Sequence, residues 1–470
     1  LYTDLRCSRF QPRGKIRHLI MPLSDKDSAI STDAFFATLT RIRNVILPAA
    51  VRSWLNTPRG LLTGFILVHL GFLIFAALLS LRGEAFSDTF IYREWARAGF
   101  DETHLSGGPS PWVYPILALI PMALAGLAGP GPFFFLWVLM TTLLNGWALA
   151  KLTDRGRNQD AIPAGWWWLI FTLLMGWLGF ARVDGLTAPI VLVALAYGVG
   201  RPFIASVILA AATWVKVWPA AVMLALFAVV KNRLLVVLAG VATSAVVVAL
   251  AAAVGSVSKL LNFLTQQGDR GMQLEATFTT PWLWLSVLNI GDSRMYMNTD
   301  INSMQVDGPG TAVMSVLMQP LLILAALLVA GLTFWALHNG KLNGNGKADG
   351  GVDRTELLLA GALTLATAFV VFNKVGSPQF MVWLAPAVAV GLAHSWREWR
   401  VPAAMLIAIA VATFFIYPLF YDALSHNNPL MAGVLTIRNV LLVVLFLWSV
   451  RRLYSLGKKT SATVPALKES

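Results

Sequence analysis

The stretch GLLTGFILVHLGFLIFAALLSL, Gly60–Leu81, decides the fold. It contains no Asp, Glu, Lys or Arg, with Arg59 before it and Arg82 after it. An α-helix needs about 20 mainly apolar residues to cross the hydrocarbon core of a bilayer, so this stretch predicts a membrane-spanning helix. Working outward, further apolar stretches lie at 112–128, 131–150, 163–181, 185–199, 203–230, 234–254, 312–336, 357–372, 380–394, 402–420 and 434–450. The 203–230 stretch is interrupted at Lys216–Pro219. Proline disfavours a continued helix, so this stretch reads as two short helices meeting near the outer face. The composition agrees: 57% hydrophobic and 13% charged residues, with a mean hydropathy of +0.68. Soluble domains run at about 45–50% apolar and about 25% charged. The chain therefore reads as an all-α polytopic integral membrane protein, and an ordinary cytosolic enzyme, a disordered chain and collagen are excluded. Cys7 is the single cysteine, which excludes a disulfide framework and a Cys-based zinc or iron–sulfur site.

Lys and Arg number 36 against 23 Asp and Glu, a formal net charge of +13. Most of this excess lies in the N-terminal region, in short loops and near the C-terminus, which is the pattern of the positive-inside rule. No basic face with interleaved aromatics points to nucleic acid. Residues 1–57, with Arg13, Lys15, Arg17, Arg41, Arg43 and Arg52, read as a cytoplasmic basic region. It lacks the pattern of a signal peptide. The chain opens on Leu1 and Met21 offers a start, so 1–20 reads as an upstream extension. Residues 58–453 form the expected membrane domain and 454–470 a cytoplasmic tail. The apolar segments number thirteen, yet two cytoplasmic termini demand an even number. A short or re-entrant piece within 112–150 resolves the conflict, giving about twelve spans and two long extracytoplasmic loops, 82–111 and 255–311.

Polar groups gather at the outer helix ends, in these two loops and in the turns Arg182–Asp184, Trp214–Lys216 and Asn373–Lys374. Ionisable groups at membrane depth are costly and mark partners or function. No Gly-rich phosphate loop is present. The one Asp-x-Asp, Asp25–Asp27, sits in the polar tail, and no two histidines are spaced i, i+4. A donor supplied within the membrane fits better than a soluble nucleotide sugar. The rival from another class is a transporter or lipid flippase. It would place its ionisable groups near mid-membrane and keep its outer loops short, and this chain does the reverse; no internal repeat supports an inverted-repeat transporter, and Lys216 is the feature that keeps the rival open.

Four stretches carry a resemblance: FSDTFIYREWA (86–96) followed by PWVYPILALIP (111–121); RVDGLTAPIVLVALAY (182–197) running on to TWVKVWPA (213–220); DRGMQLEATFTTPW (269–282); and FNKVGSPQFMVWLAP (372–386). In this order the chain resembles glycosyltransferase family 87, the polyprenyl-phosphate-mannose-dependent mannosyltransferases of the GT-C class. The resemblance implies a lipid-linked sugar donor, a glycan or glycolipid acceptor on the outer face, and inversion at the anomeric carbon, with an α-1,2 linkage in a lipoglycan of the cell envelope. Another polyprenyl-phosphate sugar, such as arabinose or glucose, is the alternative donor.

Inversion in one displacement needs one base for the acceptor proton and cations for the departing phosphate. The resemblance puts the base at Asp88, the acid after the first span, with Phe86, Phe90 and Tyr92 around it. The competing reading of Asp88 is a helix N-cap. Arg270, Lys374 and Lys216 are the candidates for the donor phosphate, against interface anchoring, a local Arg270–Glu275 pair, or snorkelling of Lys216. Tyr92, Arg182, Asp184, Gln273, Glu275 and Gln379 are candidates for the acceptor or sugar, with an Arg182–Asp184 pair as the structural alternative. The scheme calls for neither a cofactor nor a metal.

Overall fold

The computed structural model describes residues 25–98, 112–253, 271–299, 303–343 and 352–461, together with Val257 and Leu260. Arg270 and His104 lie outside the described residues. The chain divides into two compact units, Leu1–Leu55 and Asn56–Ser470. In the first, α1 (Asp25–Ile46) and α2 (Ala49–Leu55) meet at a bend of 115°.

The second unit is a helical bundle. Its helices are α3 (Pro58–Leu81), α4 (Thr89–Ala98), α5 (Leu119–Gly126), α6 (Phe133–Leu152), α7 (Ile162–Met175), α8 (Val183–Tyr197), α9 (Pro202–Val215), α10 (Pro219–Val229) and α11 (Arg233–Ala253). They continue with α12 (Thr280–Val287), α13 (Thr311–Asn343), α14 (Arg354–Val371), α15 (Ala385–His394), α16 (Trp396–Phe414) and α17 (Pro429–Ser461). Eight of the described helices are long and apolar enough to cross a membrane: α3, α6, α8, α11, α13, α14, α16 and α17. Helices dominate because a bilayer offers no water to backbone amides, which must be satisfied within the segment. The start of α3 combines Pro58 in its first turn with Thr57, whose Oγ1 accepts from the Gly60 amide at 3.0 Å; both are standard helix-start chemistry.

Contacts at the helix ends fix the direction of each pass. Ser80 Oγ, at the end of α3, accepts from the Phe135 amide at the start of α6 at 3.0 Å. The α6 C-terminus puts Lys151 Nζ 3.8 Å from the ring centre of Tyr197, the last residue of α8. The segment between α3 and α6 therefore leaves and returns at one end. It holds α4 and the eight-residue α5, which at about 1.5 Å per residue is far too short to cross. The apolar stretch 112–128 is thus the short piece. The 203–230 stretch is broken as expected: α9 stops at Val215, Lys216 is extended (φ −151°, ψ 138°), and Pro219 opens α10.

One element departs from an all-helical reading. Arg294–Asn298 (β1) and Ser303–Asp307 (β2) pair antiparallel, with Tyr296 opposite Gln305. The hairpin belongs to the long loop, and Met304 and Val306 pack it against α12 and α17. The main core is built from α8, α10, α14, α15 and their neighbours.

At the end away from the hairpin, Glu356 of α14 ties three helices together. It accepts from Trp399 Nε1 at 2.9 and 3.1 Å and from Arg452 Nη2 at 2.7 Å, while Arg452 Nη1 also reaches Glu398 at 2.5 Å. At the other end the tightest approach is backbone on backbone. A Cβ on Gly185 would lie 1.9 Å from the Gly179 carbonyl oxygen. Overpacking of this kind costs about 1–3 kcal/mol. Gly185→Ala is expected to lower the thermal unfolding midpoint of the detergent-solubilised protein and to displace its neighbours Arg182 and Asp184. An unchanged midpoint would show that the turn can yield.

Candidate active site

Asp88 stands at the start of α4. Its main-chain carbonyl accepts the Tyr92 amide at 3.0 Å and so opens the helix. Its carboxylate does something else: it is ion-paired with the Arg182 guanidinium. Thr89 supplies the local side-chain bond, its Oγ1 accepting from the Phe86 amide at 3.1 Å. Ser87, just before, is left-handed (φ 58°), which turns the chain sharply into the helix.

Arg182 sits immediately before α8, and its backbone is extended (φ −113°, ψ 152°). Its Nη2 donates to the Tyr417 hydroxyl at 3.4 Å, and its buried Nε has no hydrogen-bond partner among the described residues. Burial pulls the guanidinium pKa below its ordinary value, against the pull of Tyr417 and Asp184. Desolvation penalises the charged form, so the cation gains from every anion in reach.

Two residues on, Asp184 points the opposite way. It is fully buried, accepting from Trp383 Nε1 at 2.6 Å, and its Oδ2 lies 3.5 Å from Lys216 Nζ. Lys216 projects from the α9–α10 break, with its Nζ 4.4 Å from the centre of the Tyr114 ring and 5.9 Å from that of Phe380, within cation–π range. The Tyr114 hydroxyl lies 3.2 Å from that of Tyr92, which also accepts from the Val183 amide at 3.4 Å. Tyr92 is buried among Trp95, Trp112 and Trp137, and burial drives its phenol pKa well up. Arg182 and Asp184 are thus not each other's ion-pair partners. One serves Asp88 and the other Lys216.

A second pair of segments meets nearby. The Gln273 amide donates to the Lys374 carbonyl at 2.9 Å, and Gln273 Oε1 accepts from the Gly376 amide at 3.1 Å and Ser377 Oγ at 3.3 Å. The contact needs glycine: a Cβ on Gly376 would lie 2.3 Å from the Ala276 nitrogen. Lys374 is half-buried, and Gln379 is buried in the 3-10 turn Pro378–Trp383. Arg438, fully buried within α17, donates to the Glu275 carbonyl and to Asn439 Oδ1. Asn439 Nδ2 in turn donates to Thr280 Oγ1 at 2.9 Å. The Glu275 carboxyl is hydrogen-bonded to Tyr421, whose ring centre is 5.5 Å from that of Tyr417. A continuous set of contacts thus links Asp88 through Arg182, Tyr417, Tyr421 and Glu275 to the Gln273–Lys374 turn.

Burial raises the Glu275 pKa above its ordinary 4.5, and the Tyr421 bond and the Arg438 charge only partly oppose this. A carboxyl whose folded pKa exceeds its unfolded value stabilises the fold below the unfolded pKa and loses that contribution as pH rises through the folded one. The thermal midpoint is therefore expected to fall as pH rises through that window. Glu275→Gln, which keeps a hydrogen-bonding amide, is expected to flatten the fall. A midpoint that rises with pH in the wild type, with the same rise in the variant, would contradict the assignment.

Beside Asp88 opens a cavity of about 600 Å³, lined by Phe72, Phe86, Ser87, Trp177, Phe414, Tyr417 and other mainly apolar residues. This is within the usual range for ligand pockets. The wall is largely apolar. Among the described residues no three His, Cys, Asp or Glu side chains gather as a metal ion would require.

Sequence reasoning missed Arg438, Tyr417, Tyr421 and Trp383. For Arg438 a signal existed: Arg438–Asn439 interrupts the 434–450 apolar run, and an arginine inside a span marks a site or a structural partner.

Membrane-length helices with partly buried acid–cation pairs and an apolar cavity at one end define a polytopic membrane protein with an enzyme-like site. The model of Glycosyltransferase family 87 matches residues 112–348, half of the chain. The chain belongs to that family and is a membrane glycosyltransferase. The match takes in Arg182, Asp184, Lys216, Gln273 and Glu275, whereas Asp88, Lys374 and Gln379 lie outside it. No curated protein matches the chain. Among solved structures the chain is similar to ArnT from Cupriavidus metallidurans in the apo state, at 15% identity and a TM-score of 0.40, over 85% of this chain and 78% of that one.

Proposed function

We propose that this GT-C-type enzyme transfers mannose from polyprenyl-phosphate mannose to a lipid-anchored glycan or glycolipid, with inversion and an α-1,2 product, at the outer face of the cytoplasmic membrane. The observation that carries this reading is the Asp88–Arg182 pair beside the 600 Å³ apolar cavity. A lipid-linked donor needs both: a lipid-compatible wall for its chain and a cation for its phosphate, next to a base.

In this mechanism Asp88 takes the proton of the acceptor hydroxyl, and the acceptor oxygen attacks the anomeric carbon. The bond from that carbon to the phosphate oxygen breaks, and polyprenyl phosphate departs with the electron pair. Arg182 suits the phosphate better than the acceptor: it is half-buried, its Nε is unmatched among the described residues, and it is held by Asp88 until a stronger anion arrives. Donor binding would draw the guanidinium onto phosphate and release the Asp88 carboxylate for the acceptor. Lys216, Lys374 and Arg270 would add positive charge around the leaving group. Gln273, Glu275, Gln379, Asp184 and Tyr92 would shape the sugar and acceptor sites, Asp184 by holding Lys216 and Tyr92 by supporting Tyr114.

The charge distribution supports this sidedness. Lys151, Arg201, Arg233 and Arg452 lie at the end opposite Asp88, which the positive-inside rule assigns to the cytoplasm together with both termini. Donor identity is tested by competition. Unlabelled polyprenyl-phosphate mannose is expected to suppress incorporation of label from the same donor, and the arabinose and glucose analogues to leave it nearly intact. Equal suppression by all three would remove the mannose assignment.

A further inference from the structure

We propose that α1 is an interfacial helix that binds the headgroup layer of an anionic bilayer, anchoring the region ahead of the first span. Phe35, Leu39, Ile42 and Ile46 follow i, i+4, i+7, i+11 spacing and so share one helix face. All four are exposed, at 55%, 44%, 48% and 70%. Thr40, Arg41 and Asn44 lie toward the other face, and Arg43 borders the stripe. This is the layout of a helix lying in the interface plane, apolar face down and cationic side chains reaching the headgroups.

Two observations favour a surface position over a span. The bend of 115° between α1 and α2 rules out a straight crossing by the pair. Arg41 and Arg43 would also fall near the middle of such a crossing, where arginine is strongly disfavoured. The occupant is a lipid surface rather than a protein on two grounds. The cations beside the stripe complement anionic headgroups. Only Asn56 and Thr57 separate α2 from the span that starts at Pro58, so the chain tethers the helix within reach of a bilayer.

The test uses the full chain with Cys7→Ser, carrying single spin labels at Leu39→Cys, Ile42→Cys, Thr40→Cys or Asn44→Cys. It is reconstituted in nanodiscs of phosphatidylcholine alone or with added phosphatidylglycerol. In the anionic discs, labels at 39 and 42 are expected to be accessible to oxygen and shielded from a water-soluble nickel chelate, and labels at 40 and 44 the reverse. Adding Arg41→Gln and Arg43→Gln, or omitting the anionic lipid, is expected to reduce that contrast. Equal nickel accessibility at all four positions would overturn the proposal, as would shielding at 44 as deep as at 42, which marks a span. Occlusion of 39 and 42 from both reagents would assign the stripe to protein packing instead, and a contrast indifferent to lipid charge and to both arginines would remove the electrostatic part.

Discussion

Asp88→Asn is expected to reduce mannosyl transfer by about 10²–10⁴-fold, the usual contribution of a general base, while the protein remains folded and still binds donor. Asparagine preserves the shape of the side chain and can accept one hydrogen bond from Arg182, so the α4 start and the position of Arg182 should survive the loss of the anion. The helix itself does not depend on the carboxylate: Asp88 contributes its main-chain carbonyl, and Thr89 makes the local side-chain bond. Asparagine caps a helix as well as aspartate does, so loss of activity in a variant that stays folded would separate a chemical role from an N-capping role. Near-normal transfer by the folded variant would remove Asp88 as the base.

The second large effect is expected at Arg182. Arg182→Gln should lower kcat/KM for donor by about 10²–10³-fold, the range seen when one group that stabilises developing charge is removed. Much of that loss should appear in KM for the lipid donor, because the phosphate is already anionic in the ground state. Arg182→Lys should recover only part of the loss, since an ammonium keeps the charge but not the planar fork that grips a phosphate or carboxylate. If Arg182 merely propped Asp88, the double variant Asp88→Asn/Arg182→Gln would bind donor as well as Asp88→Asn does. The phosphate role predicts that it binds donor more weakly, measured by titration with the intact lipid.

Much of the bundle was legible in the sequence because a bilayer forces long, charge-free helices and leaves the charges at their ends. Gly60–Leu81 and the broken stretch at Lys216–Pro219 are direct examples. The parity of the spans called for a short piece within 112–150, and the contacts assign it to 112–128, a short excursion at one end. The β1–β2 hairpin was hidden for a different reason. Arg294–Asn298 and Ser303–Asp307 are short, polar strands whose pairing depends on what α12 and α17 offer them.

In the site, the residue types were readable and the partnerships were not. Arg182 and Asp184 look like natural partners two residues apart. The start of α8 turns them in different directions, so that one meets α4 and the other meets the α9–α10 break. Glu275 looked like a partner for Arg270 or for a sugar. In the fold its backbone carbonyl is held by Arg438, 163 positions away, a pairing that no local spacing encodes.

The most direct measurement is transfer itself. Purified protein in nanodiscs is incubated with labelled polyprenyl-phosphate mannose and a mannolipid acceptor, and the anomeric configuration of the product is read by NMR. A labelled α-mannoside formed from the β-linked donor is expected, with release of polyprenyl phosphate in equal amount and loss of both with Asp88→Asn. Movement of intact donor across the bilayer without a new glycosidic bond, or a product that retains the donor's configuration, would contradict this mechanism.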